Sequence, residues 1–389
     1  MFAFLLGLAA IAIPPSHAQT FSVIHNFTGG SDGGNPLAGF AIDAAGYLYG
    51  TTNAGGASGM GTVFKVTGKG KEIVLHSFTG GADGANPESS LVMDAAGNLY
   101  GTTIAGGASG AGTVFRVAPK GRETVLYSFT GQADGAKPEA ALTMDAAGNL
   151  YGTTTAGGSS GNGTVFKLTV PKKANGRWSE KVLYSFGSGT DGTIPVAGVT
   201  LDTAGKIYGT TSAGGSYGYG TVFELTLSKS GWTESILYNF QMQSDGGVPY
   251  AGLIFDHSGN LYGAATEGGD GAGGGGTVFE LTPANGSWTF SVLYALPGWG
   301  ISGTYRNLLF DASGNIFATT HCDGANSAGT VYELTPSNSG WIYTSLHVFS
   351  GSDGFYSFSN LVFDKYGNLY GTTNEGGANG LGDVFKIKP

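Results

Sequence analysis

The residues best equipped for chemistry fall in one stretch of this chain. They are Glu267 and Asp270, then Trp299, Tyr305 and Arg306, then His321, Cys322 and Asp323. Flat Trp and Tyr faces with a few directed polar groups suit a sugar or another small ligand, by burial of an apolar ring and aimed hydrogen bonds. Paired carboxylates beside Tyr, Arg and His would also serve a glycan lyase or hydrolase. His321, Cys322 and Asp323 are consecutive, so they cannot converge as a nucleophilic triad. No nucleophile elbow, HExxH, P-loop or CxxC pattern occurs. We therefore assign no catalytic residue and no metal ligand. Trp299, Tyr305, Arg306, Glu267, Asp270, His321 and Asp323 form the candidate ligand-binding set.

What must position them is a repeat. Leu91-Val-Met-Asp-Ala-Ala-Gly-Asn-Leu-Tyr-Gly-Thr-Thr103 recurs seven times, with its aromatic at Tyr49, Tyr100, Tyr151, Tyr208, Tyr262, Phe317 and Tyr370. A period of 51 to 57 residues fixes the architecture before any local reading. Each copy reads as strand, tight turn, strand. The Asp can accept turn amides and the Gly can take positive φ, so the seven Asp-x-x-Gly sets are read as turn caps rather than as a metal or catalytic cluster. A Gly-rich loop, a third strand such as Thr113-Val-Phe-Arg-Val117 and a fourth such as Thr124–Phe129 complete the unit. Adjacent apolar residues in the third strands (Val63-Phe64, Val114-Phe115) point to opposite faces, so both faces of each sheet are buried. Four-stranded sheets covered on both sides and repeated about every 50 residues describe an all-β, seven-bladed β-propeller. A fourth-strand pattern at Phe21–Phe27 precedes the first hairpin, while the chain ends after a third strand. The N-terminal strand is therefore expected to close the last blade and remove an open edge.

That topology sorts the loops. Turns between strands 1 and 2 and between strands 3 and 4 share one face. Loops between strands 2 and 3, and the blade-to-blade linkers, share the other. The first face holds Lys69, Lys71, Lys120, Arg122, Lys172, Lys173, Arg177 and Lys229, which predicts a basic fringe. The second holds Asp32, Asp83, Asp134, Asp191, Asp245 and Asp353, each followed by Gly, which predicts an acidic rim. Turn chemistry explains those Asp-Gly pairs. The sharper alternative is a ring of Asp at the channel mouth holding Ca²⁺, which needs six or more converging oxygens. The candidate set sits on this second face, where Pro297–Arg306 replaces the usual Asp-Gly linker. His25, His76 and His347 stand where other copies have Tyr, which marks them as structural and leaves His321 as the site imidazole.

Composition bounds the partners. A net charge of −9 argues against nucleic acid, which needs a basic face. The single Cys322 excludes an internal disulfide. Phe2–Ile13 is apolar, and Ser16-His-Ala18 follows two prolines, as in a secretory signal cut after Ala18. Residues 1–18 are thus expected to be a signal peptide and 19–389 one propeller domain, secreted or periplasmic. No membrane span is expected, and a monomer is.

The unit Gly-Asn-Leu-Tyr-Gly-Thr-Thr, then Gly-Gly, Gly-Thr-Val-Phe and Val-Leu-Tyr-Ser-Phe, resembles the GloVer tandem repeats of bacterial exported proteins over nearly all of residues 19–389. The resemblance implies an exported repeat protein, often with a C-terminal surface anchor. This chain stops at Pro389 directly after a strand, so no anchor is expected. A non-enzymatic scaffold that binds an extracellular glycan or protein, without a cofactor, is the leading expectation. A propeller glycan lyase or hydrolase and a structural cell-envelope protein are the alternatives.

Overall fold

The computed structural model describes residues 19–173, 176–187, 189–269, 274–284 and 286–388. The proposed signal segment 1–18 and the candidate Asp270 lie outside them.

Seven antiparallel four-stranded sheets form the blades of a propeller. The second blade shows the plan: Val92–Met93, Leu99–Thr103, Thr113–Val117 and Glu123–Ser128, from the axis outward. Every hairpin Asp acts as expected. Asp94 Oδ1 accepts the amides of Ala96 at 2.9 Å and Asn98 at 2.8 Å. The other six Asp make the same pair of bonds. The Tyr-Gly-Thr-Thr motif has a packing cause. A Cβ at Gly101 would sit 2.6 Å from the Phe115 ring, so the second strand must be bare where the third presents its Phe. Val114 and Phe115 are both fully buried, as their opposed directions require.

The ring closes through its two ends. Val362–Phe363, Leu369–Thr373 and Asp383–Lys388 form three strands of the seventh blade, and Thr20–Asn26 is the fourth. Their register pairs Thr20 with Lys388 and Asn26 with Asp383.

The seams between blades follow one repeat column. The outer-strand residue opposite the end of the third strand is Glu72, Glu123, Glu180 or Glu234 in blades 1–4. In blades 5–7 it is Phe290, Tyr343 and Phe21. The aromatic members stack on the ring of the preceding blade: Phe290 on Tyr238 with centroids 3.7 Å apart, Tyr343 on Tyr294 at 5.4 Å, Phe21 on His347 at 3.5 Å. The Glu members instead face a linker Asp. The Tyr184 hydroxyl lies 3.3 Å from Glu234 and 3.2 Å from Asp191. Burial, with Asp191 adding, pushes Glu234 up to about 8. Burial, with the neighbouring Asp adding, pushes Glu72, Glu123 and Glu180 up to about 7.

Blade 7 carries one further anomaly. Where four other blades pair two Thr hydroxyls at 2.9 Å, it has Thr373 and Asp383. Asp383 is fully buried, and neither of its carboxyl oxygens has a hydrogen-bond partner. Burial pushes this carboxyl up to about 8. Asp383→Thr restores the repeat pair, and is expected to stabilise the protein by ~1–3 kcal/mol, the usual cost of an unsatisfied buried group. Thermal unfolding of the two proteins at pH 8 checks this, and a lower melting temperature for the variant would refute it.

Candidate functional site

The linkers reach the axis just before each innermost strand. Four residues ahead of the hairpin Asp, the chain passes Gly39, Ser90, Ala141, Gly198, Gly252, Asn307 and Asn360. Crowding explains the small residues: a Cβ on Gly39 would collide with the Asn360 carbonyl. Asn307 and Asn360 bridge blades, taking the Gly252 amide at 2.9 Å and the Asn307 amide at 3.0 Å respectively.

One position earlier the column reads Ala38, Ser89, Ala140, Ala197, Ala251, Arg306 and Ser359. Only blade 6 has a long side chain there, and it spans the channel. Arg306 donates Nε–H to the Phe358 carbonyl at 3.3 Å, and Nη2–H to the carbonyls of Leu37 at 3.0 Å and Glu88 at 3.3 Å. These belong to the linkers of blades 7, 1 and 2. With Asn307 and Asn360 it lines an axial cavity of about 130 Å³. Enclosure holds the guanidinium below its usual pKa, while Glu88 and Glu139 oppose that. Arg306 is thus a strut across the axis.

The next column outward lines the mouth: Leu37, Glu88, Glu139, Val196, Tyr250, Tyr305 and Phe358. Blades 5–7 make it aromatic. Tyr305 lies 5.0 Å from Tyr250 and 5.1 Å from both His321 and Phe358, by ring centroids. His321 stacks on Tyr356 at 4.2 Å and lies 4.4 Å from Phe358. Burial pushes the His321 pKa down to about 4, so the ring is neutral, and its Nδ1 has no partner. Burial also raises Tyr305, with Tyr250, Cys322 and Glu267 adding, so its hydroxyl keeps its proton. Across the mouth, Glu88 accepts the Asn53 amide at 2.9 Å and Glu139 the Thr155 hydroxyl at 3.0 Å. Burial and Glu139 raise the Glu88 carboxyl.

The structure therefore brings Tyr305 and His321 together, sets Arg306 beneath them, and leaves Glu267 close enough to act on Tyr250 and Tyr305. Asp323 is 5% exposed; it accepts the Thr320 hydroxyl and sits under the 297–303 loop. Trp299 is 81% exposed on that loop and joins none of these ring contacts. Burial raises the Cys322 thiol, with Asp323 adding, which is the reverse of an activated nucleophile. Glu88, Glu139, Tyr250 and Phe358 lie outside the sequence-derived candidate set. They share the repeat column of Tyr305, which was the available signal. The linker Asp residues stand far out, beside the outer strands, rather than at the mouth. Asp134 takes the Tyr127 hydroxyl at 2.9 Å and the Thr130 amide at 2.8 Å, and Asp83 lies 3.3 Å from His76 Nε2. Each closes its own turn.

The arrangement offers ring faces, neutral hydrogen-bonding groups and two tethered carboxyls around a blocked axis. That suits recognition of a small polar ligand with an apolar ring face. Among the described residues no helix is long and apolar enough to cross a membrane.

Among solved structures, the chain is similar to a candidate 6-phosphogluconolactonase of Bacteroides uniformis, with 15% identity, TM-score 0.52, and 87% of this chain and 94% of that one covered. A candidate glucose dehydrogenase of Thermus thermophilus is similar at 15% identity and TM-score 0.47, with 78% and 96% covered. At such identity the likeness to the Bacteroides protein shows the fold alone. No curated relative matches. A family model described as the Gloeobacter/Verrucomicrobia repeat matches residues 11–204 and again 197–389.

Proposed function

The chain belongs to the Gloeobacter/Verrucomicrobia repeat family, and from that premise we propose that this propeller is an exported binding scaffold whose axial mouth takes a carbohydrate. One observation carries the reading: Tyr250, Tyr305, His321 and Phe358 form a contiguous aromatic wall facing Glu88 and Glu139. Stacked rings bury a pyranose face, and the carboxyls take its hydroxyls. The groups a hydrolase would need are otherwise engaged. Arg306 is held by backbone carbonyls and the two carboxyls are tied to Asn53 and Thr155. Export is supported by the apolar run Phe2–Ile13 ahead of Ala18.

A glycan array on residues 19–389, with and without Ca²⁺, tests the proposal. For any neutral glycan bound, Tyr305→Ala is expected to weaken affinity by ~10-fold or more, as loss of a central aromatic does at a small interface. Unchanged affinity would remove the mouth as the site. Turnover of the bound glycan that disappears in Glu267→Gln would make the protein an enzyme instead.

A further inference from the structure

The seam between the second and third blades has a chemistry of its own. The third blade's outer hairpin runs Val170-Pro-Lys-Lys173, then Gly176-Arg-Trp178. Trp178 crosses the seam and packs edge-on against Tyr100 of blade 2, with centroids 6.2 Å apart. Beneath this arm is a cleft of about 730 Å³, lined among others by Tyr100, Arg116, Tyr127, Lys173, Arg177 and Trp178. That is the size range of ligand sites.

Comparison with the equivalent seams isolates what is special. Trp232, Trp288 and Trp341 sit in the same place on blades 4, 5 and 6. Trp288 packs on Tyr208 at 5.9 Å, as Trp178 does on Tyr100. Yet behind those arms the third strand of the preceding blade presents Lys167, Glu224 and Glu280 where this seam has Arg116. The other three Trp-bearing arms also carry Lys229 alone or no cation, against Lys172, Lys173 and Arg177 here. A Trp-bearing arm with three cations over an Arg-bearing strand is thus confined to one seam of a protein with net charge −9.

These cations are uncommitted. Among the described residues Arg116, Lys173 and Arg177 make no ion pair within 4.0 Å, and Arg116 Nε is buried without a partner. Three carboxyls lie nearby, and burial, with Asp134 adding, pushes one of them, Glu180, up to about 7. Asp94 accepts the Asn98 amide and the Tyr100 hydroxyl, and Asp134 accepts Tyr127 and Thr130.

We propose that this cleft binds an acidic oligosaccharide, with sugar carboxylates on Arg116, Lys173 and Arg177 and one sugar ring against Trp178. Guanidinium groups grip carboxylates in a fixed fork. The indole beside them favours a sugar ring over an acidic peptide, because it offers a flat wall to a C–H face. The site is separate from the axial mouth and does not depend on it.

The test uses residues 19–389 and a hexamer of α-1,4-linked galacturonate, followed by calorimetry at low ionic strength. Binding is expected, weakening with added salt as exposed charges are screened. The double variant Lys173→Gln with Arg177→Gln should lose ~10-fold or more in affinity with an unchanged melting temperature, since both side chains are exposed. Tyr305→Ala should leave this affinity unchanged, which separates the cleft from the mouth. No binding of the hexamer overturns the proposal. So does equal affinity for its methyl ester, equal affinity for hexaglutamate, or an unaffected double variant.

Discussion

Removal of Gln19–Asn26 is expected to yield a protein that no longer holds its seventh blade. The segment pairs with Asp383–Lys388 over the whole of that strand. Phe21 sits between His347 and Phe385, at 3.5 and 5.8 Å. Burial of one Phe is worth ~1.5–3 kcal/mol and each ladder bond ~0.5–1.5 kcal/mol. The sum reaches the ~5–15 kcal/mol that holds a folded domain together. The deletion also bares a strand edge that other chains can pair with. Residues 27–389 should therefore aggregate on expression or melt ~10 °C or more below residues 19–389. Light scattering and thermal unfolding measure both. A synthetic Gln19–Asn26 peptide should recover part of the loss by strand addition. An unaltered melting temperature would show that the ring is closed by something else.

The second large effect is on pH. Glu72, Glu123 and Glu180 titrate at about 7 in the folded protein, and Glu234 and Asp383 at about 8. Ordinary carboxyls titrate near 4. The folded state thus binds more protons than the unfolded one between those limits, and stability falls as pH rises from ~4 to the folded values of about 7 to 8 and levels off above them. His25, His76, His321 and His347 have pKa values lowered by burial, so their contribution runs the other way and is lost below pH ~6.5. The seam glutamates are partly exposed, so each is worth at most ~1 kcal/mol after screening. Together they should lower the melting temperature by ~5 °C between pH 6.5 and 9. Glu234→Gln should flatten that slope. A melting temperature that climbs across the same interval would contradict the seam geometry.

Much of this was readable in advance because the repeat supplies its own alignment. Seven Asp-x-x-Gly sets, the doubly buried Val-Phe pairs and an orphan outer strand at the N-terminus together dictate seven blades and their closure. The His-for-Tyr exchange at His25, His76 and His347 marked a structural column, and the rings do stack or pair there. The mouth was harder. Tyr305 and His321 stood out because they break the repeat, whereas Tyr250 and Phe358 pass as ordinary apolar variation until the axis is in view. Trp299 drew notice by type, but a Gly-flanked loop can point its indole anywhere, and here it points to solvent. By type Arg306 reads as a ligand group. Its role follows from a column of Ala and Ser that says how little room, and how many bare carbonyls, lie at the centre.

The strut made by Arg306 has a consequence for traffic. With its guanidinium fastened to three linkers, Arg306 bars the middle of the axis. A ligand in the proposed bowl would leave by the rim it entered through. The seam between blades 2 and 3 opens elsewhere on the molecule, so two guests could be held at once, each indifferent to the other.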